Sequence, residues 1–257
     1  MDLETLLALY VGAVGLIVGS YLNVVIHRLP RGISTVLPRS ACPACGARVR
    51  ARDNVPLLSF VLLRARCRDC GAPIPWRYPL VEAATAALFL LAFVRFGWQP
   101  ELLGAMLFSA AMLALAGIDL EHFLLPDAIT VPGILVGLAL SYWLDWCTPL
   151  ESAVGAMLGA GILLALLGAW YLLRGELGMG FGDVKMLAMI GAFLGAKGVL
   201  VALFFASLTG AATGVWLLMR HRVGLGAKLP FGVFLACGAL VALYAGAPLL
   251  DAYGGLL

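Results

Sequence analysis

The stretch SAVGAMLGAGILLALLGAWYLL, residues 152–173, carries no charge along its length and is bounded by Glu151 and Arg174. About 20 mostly apolar residues are what a helix needs to cross a bilayer, so this stretch reads as a transmembrane helix. Seven more segments of the same character lie on either side of it, roughly 5–27, 79–97, 101–118, 128–146, 184–196, 198–219 and 229–250. The sixth in chain order is short and merges with the seventh around Gly195-Ala196-Lys197-Gly198. Of 257 residues, 63% are hydrophobic and 12% charged, against about 45–50% and about 25% in soluble domains. Mean hydropathy is +1.02. These values exclude a soluble domain with one anchor and predict an all-α polytopic membrane protein of about eight transmembrane helices. The acidic opening Met1-Asp2-Leu3-Glu4 is unlike the basic start of a cleavable signal peptide. Glycine is abundant, and Gly155, Gly159 and Gly161 inside the fifth helix suit close approach of helices in lipid.

Charge orients the helices. The polar segment from Arg28 to Arg77 holds ten arginines and two acids, Asp53 and Asp69. Basic loops stay on the cytoplasmic side, so this segment is expected inside and both termini outside. Alternating through eight helices also puts Arg174, Lys185, Arg220, Arg222 and Lys228 inside and leaves only Arg95 and Lys197 outside. Asp2, Glu4, Glu101, Asp145, Glu151 and Asp251 fall outside too.

Two aspartates then share the cytoplasmic face, each where an apolar helix meets a polar loop. One is Asp119 in Gly117-Ile118-Asp119-Leu120-Glu121, the other Asp183 in Gly180-Phe181-Gly182-Asp183-Val184-Lys185. An ionisable group at membrane depth costs about 2.5–3.5 kcal/mol on insertion scales, which makes it a functional residue by default. Two neighbouring carboxylates do not both ionise easily. The ionised one can take a proton from water while the protonated one polarises a carbonyl and serves the leaving amine. Asp119 and Asp183 are therefore the expected catalytic pair, titrating together. Gly180 and Gly182, lacking Cβ, let the loop backbone approach an extended peptide. Lys185 either tunes Asp183 or snorkels to the headgroups. Glu121, His122 and Asp127 read as a solvated loop or as support for Asp119.

The polar segment contains Cys42-Pro43-Ala44-Cys45-Gly46 and Cys67-Arg68-Asp69-Cys70-Gly71. Two such pairs supply four thiolates for a tetrahedral, closed, structural zinc site. A metal-folded domain of zinc-ribbon type is expected between helices one and two. The ten arginines are explained by topology and anionic lipid, so no nucleic-acid partner is expected. Cys147 and Cys237, in apolar stretches, read as small buried hydrophobes.

Several motifs follow one another in an order that resembles the bacterial prepilin peptidases (type IV leader peptidases), over nearly the whole chain. They are Gly19-Ser20-Tyr21-Leu22-Asn23-Val24-Val25-Ile26-His27-Arg28-Leu29-Pro30, Asn54-Val55-Pro56-Leu57-Leu58-Ser59 and Arg77-Tyr78-Pro79-Leu80-Val81-Glu82. Ile118-Asp119 with Leu125-Pro126-Asp127, the GxGD run Gly178-Met179-Gly180-Phe181-Gly182-Asp183-Val184-Lys185, Gly191-Ala192-Phe193-Leu194-Gly195 and Leu229-Pro230-Phe231-Gly232 complete the series. Family members often carry a Glu shortly before the glycines. Here Glu176 stands one residue further upstream, which leaves its role open.

The resemblance implies a bifunctional enzyme of the bacterial inner membrane. It would cut the basic leader from type IV prepilins or type II secretion pseudopilins on the cytoplasmic side. It would then methylate the new N-terminus with S-adenosylmethionine. The implied parts are a first helix (1–27), a cytoplasmic four-cysteine zinc domain (28–78) and a GxGD peptidase domain (79–257). No Gly-rich nucleotide fingerprint marks a methyl-donor site. A single-activity GxGD protease, a proton-coupled transporter and a non-catalytic scaffold are the competing readings. A transporter would carry its acids near the midplane between repeated halves, and this sequence does neither.

Overall fold

The computed structural model describes residues 2–176, 178–220 and 229–254. Arg222 and Lys228, counted above on the basic face, lie outside them. The chain forms two compact units, Met1–Ala114 and Leu115–Leu257. Among the described residues there are helices, turns and two isolated bridges, Ala41 with Arg48 and Arg66 with Pro73.

In the first unit α1 (Leu3–Arg28) packs along α3 (Arg77–Phe96). The seam is made by small residues four apart. A Cβ on Gly15 would lie 2.6 Å from the Ala86 Cα, and one on Gly19 would lie 2.7 Å from the Glu82 Cα. Helices that lack a hydrophobic drive to associate in lipid gain instead from such backbone approach. Leu9, Tyr10, Ile17 and Tyr21, on other faces of α1, are exposed, as suits contact with acyl chains. Between the two helices lies the cysteine segment, with a short helix α2 (Leu58–Leu62). The helix α4 (Pro100–His122) begins in this unit and ends in the second.

The second unit contains α5 (Asp127–Leu140), α6 (Pro149–Arg174), α7 (Phe181–Met219) and α8 (Phe231–Gly254). As a straight rod, the 39 residues of α7 would run about 58 Å, far beyond a bilayer core of about 30 Å. It is not straight. Gly195 has φ 67 and ψ −175, a conformation that essentially only glycine adopts. The break falls at the boundary expected between the sixth and seventh spans. The arm before it, from Met186 to Phe193, is almost wholly buried, so its shortness reflects a protein environment rather than lipid.

A break at membrane depth leaves carbonyls that need donors. Ser152 donates its hydroxyl to the Ala192 carbonyl, and Trp146 donates its indole N–H to the Phe193 carbonyl at 2.9 Å. The donors come from the first turn of α6 and from the turn just before it, and a capping box fixes that junction: Thr148 Oγ1 accepts from the Glu151 N–H, and Glu151 Oε2 accepts from the Thr148 N–H. Gly155 and Gly159 press against Gly191 and Leu187 of α7, while Gly161 meets nothing within 4 Å.

Among the described residues five helices are long and apolar enough to cross a membrane, and Asp127–Leu140 and Phe231–Gly246 are shorter apolar helices. With α7 counted as two arms, the eight expected segments are all present as helix. The fourth ends earlier than expected, at Leu140, because the chain turns so that Trp146 can reach α7. Cys147 is buried, but in the turn before α6 rather than in a helix, and Cys237 is exposed on α8.

Candidate active site

Asp119 lies in the last turn of α4 and is 6% exposed. Phe123, at φ 53, ends that helix and donates its N–H to the Asp119 carbonyl at 2.9 Å. The carboxylate reaches the start of α8, where Val233 donates its N–H to Oδ2 at 3.2 Å. Pro230 precedes that helix, and Gly232 is its second residue. A Cβ on Gly232 would fall 2.9 Å from Asp119 Oδ2 and 3.0 Å from Leu125 Cδ2. A side chain there would push the carboxylate off the amide. The N-terminus of a helix offers oriented N–H groups to an anion, and the glycine lets Asp119 come within reach of them.

Asp183 is the third residue of α7 and is partly buried. Gly180, with extended φ −79 and ψ 144, precedes the helix and accepts from the Asp183 N–H at 3.2 Å. The two carboxylates are close enough to interact electrostatically. Gly182 faces Leu125, whose Cβ would be 2.8 Å from an added methyl group. Leu125 is buried and wedged between Gly182 and Gly232, so one apolar side chain sets the spacing of both loops. Sequence reasoning quoted Leu125 and Gly232 within motifs but gave neither a role.

Lys185 does not turn toward Asp183. Its Nζ forms a two-pronged ion pair with Asp127, 2.6 Å and 2.7 Å from the carboxylate oxygens, and so ties the first turn of α7 to the start of α5. Both partners are well exposed. His122 Nε2 lies 3.9 Å from Glu121 Oε2, and Glu176 is exposed. A Cβ on Gly180 would meet the Asp183 carboxylate at 3.7 Å and the Gly182 nitrogen at 3.9 Å, both ordinary contacts, so an extended segment has room to approach there.

In the first unit the four cysteines converge. The sulfurs of Cys42, Cys45, Cys67 and Cys70 all lie within 4.8 Å of one another, and those of Cys42 and Cys70 are 3.8 Å apart. Four sulfurs at about 2.3 Å from a tetrahedral ion stand about 3.8 Å from each other, so the group is placed to hold a metal. The two knuckles repeat one another. Gly46 and Gly71 both have φ 72, and their N–H groups donate to the Cys42 and Cys67 carbonyls at 2.8 Å and 3.0 Å. Arg68 ties the second knuckle to the short turn Ala51–Asp53 by a two-pronged pair with Asp53, 2.9 Å and 2.6 Å, and its guanidinium holds the Asp53 carboxyl below the usual carboxylate range.

The profile described as Bacterial Peptidase A24 N-terminal domain matches residues 13–96, and that of the Type IV leader peptidase family matches residues 106–215. A "Prepilin leader peptidase/N-methyltransferase" of Burkholderia pseudomallei is 39% identical over 94% of this chain and 86% of its own length. Proteins of the same name from Myxococcus xanthus and Pseudomonas aeruginosa are 44% and 35% identical. They are matched over 83% and 93% of this chain, and over 64% and 90% of their own lengths. No solved structure matches. With two relatives matched over most of both chains and the two profiles following each other along the sequence, this chain belongs to the type IV leader peptidase family.

Proposed function

We propose that the chain is a membrane-embedded prepilin leader peptidase that also N-methylates its product, with Asp119 and Asp183 as the catalytic pair. The observation that carries the peptidase reading is the pair itself: two carboxylates in electrostatic range, one on an α4 end and one on an α7 start, both beside glycines. The ionised member takes a proton from water as that water attacks the scissile carbonyl. The protonated member hydrogen-bonds the carbonyl oxygen and then protonates the leaving amine. Gly180 and Gly182 give the substrate backbone room to lie extended, Leu125 keeps the two loops apart, and Lys185 anchors α7 through Asp127.

The substrate is a type IV prepilin or a type II secretion pseudopilin with a basic leader. The enzyme resides in the bacterial inner membrane with its aspartates on the cytoplasmic face and both termini outside, as the charge partition supports. Residues 28–78 form a domain whose four cysteine thiolates suit Zn2+, and that ion supplies folding energy rather than chemistry. S-adenosylmethionine supplies the methyl group.

Cleavage of a prepilin in detergent tests the pair. Wild type is expected to cut after the last leader residue. Asp119→Asn and Asp183→Asn should each lower kcat by about 10²–10⁴-fold, the usual worth of positioned acid–base groups. Equal cleavage by either folded variant would remove that residue from the mechanism.

A further inference from the structure

The α1–α3 seam ends in two polar side chains that the peptidase chemistry does not use. Glu82 is 7% exposed and Asn23 is 1% exposed. They are neighbours along one seam: Gly19 packs on the Glu82 backbone, and Asn23, one helical turn after Gly19, donates from Nδ2 to the Tyr78 carbonyl at 3.1 Å and to the Gly19 carbonyl at 3.3 Å. Two carbonyl partners fix which end of the amide is NH2. Asn23 Oδ1 is left buried with no hydrogen-bond partner. Glu82 accepts one bond, from the Leu57 N–H to Oε2 at 2.8 Å, and no cation is paired with it among the described residues. Leu57 is itself strained: its φ is 57 and its ψ −50, and it centres a tight turn closed by the Leu58 N–H on the Pro56 carbonyl at 2.6 Å. That γ-turn is of the rare positive-φ kind. Burying a carboxylate without a positive partner is costly, and so is an unmatched amide oxygen. A buried carboxylate and a buried amide oxygen on neighbouring turns of one seam, both short of donors, match one kind of ligand: an alkylammonium, with several N–H bonds to give and a charge to place.

From this geometry we propose that Glu82 and Asn23 receive the new N-terminal ammonium of the cleaved substrate and make it a methyl acceptor. The inference rests on the reading of the chain as an N-methyltransferase. A neutral amine is needed, because only its lone pair can attack. The ammonium donates to Asn23 Oδ1 and passes one proton to the Glu82 carboxylate. The amine nitrogen then attacks the methyl carbon of the sulfonium donor; the N–C bond forms, the C–S bond breaks, and its electron pair stays on sulfur as a thioether. The methylated nitrogen, positively charged again, sheds its next proton to water, and Glu82 returns its own to solvent.

The test uses the whole enzyme in nanodiscs. First, a peptide with the mature pilin N-terminus is bound without methyl donor, once with a free amine and once acetylated. Wild type should prefer the free amine by at least tenfold, and Glu82→Gln should erase that preference. The glutamine keeps an acceptor for the Leu57 N–H, so the turn is retained. Equal preference in both proteins overturns the proposal. Second, methyl transfer to the same peptide is followed against pH. An unassisted α-amine is neutral only near and above about pH 8. The loss in Glu82→Gln should therefore be largest near pH 6 and shrink as pH rises past 8. A loss independent of pH, or one matched by an equal loss of prepilin cleavage, marks a structural role and overturns the assignment. Weaker donor binding with an unchanged pH profile assigns Glu82 to the sulfonium instead and overturns it too. A wild-type enzyme that cleaves prepilin but methylates neither product nor peptide overturns the N-methyltransferase reading, and the inference falls with it.

Discussion

The α1–α3 seam and the α6–α7 seam are built by the same device and treat polar groups in opposite ways. In both, glycines four apart bring two backbones into contact: Gly15 and Gly19 on α1, Gly155 and Gly159 on α6. Where α7 breaks at Gly195, the carbonyls ahead of the break are supplied with donors by Ser152 and Trp146. At the end of the α1–α3 seam, Asn23 Oδ1 has no partner and Glu82 has a single neutral one. A polar group that is fully matched inside such a protein belongs to the scaffold. One that is half matched is held for something that arrives.

The largest expected effect lies on the scaffold seam. A Cβ on Gly191 would be 2.1 Å from the Gly155 carbonyl oxygen, and backbone cannot move aside as a flexible side chain can. Gly191→Leu should cost at or above the upper end of the about 1–3 kcal/mol typical of overpacking, seen as loss of folded protein in a detergent thermal melt. Gly161→Leu, which meets nothing within 4 Å, should melt like wild type. If both variants behave alike, contact does not define that seam. Trp146→Phe comes next. It keeps an aromatic ring but removes the donor to the Phe193 carbonyl, and leaving a buried acceptor unmatched costs about 1–3 kcal/mol. The melt should fall, with prepilin cleavage per folded molecule little changed.

These seams also mark how far sequence reading goes. The positions of the helices follow from apolar length. Gly161 looked equivalent to Gly155 and Gly159. Yet it lies two residues, about 200° of helix, past Gly159 and so misses the stripe. The weak point near Gly195 was visible because glycine permits a break, but the hydrogen bonds that serve it span 40 and 47 positions, which no local pattern encodes. Lys185 stands two residues from Asp183 in sequence, and residues two apart on a helix do not face each other, which is why it pairs with Asp127. Leu125 and Gly232 act only through tertiary contact, so their motifs were legible and their jobs were not.

The smallest effect separates the two seams most sharply, because it concerns a sign. Asn23→Leu removes a buried amide and puts an apolar side chain in its place. On the scaffold seam such a change would leave carbonyls short of donors. Here the Gly19 carbonyl lies within α1, where the backbone ladder serves it, and the Tyr78 carbonyl lies in the first turn of α3, where the same holds. The substitution also removes an oxygen that has no partner. Replacing a half-satisfied polar group by an apolar one of like shape is near neutral or stabilising. The melting temperature of Asn23→Leu should therefore match or exceed that of wild type, while Trp146→Phe falls. A clear destabilisation of Asn23→Leu, comparable to that of Trp146→Phe, would mean that Asn23 holds α1 to α3, and the contrast between the two seams would disappear.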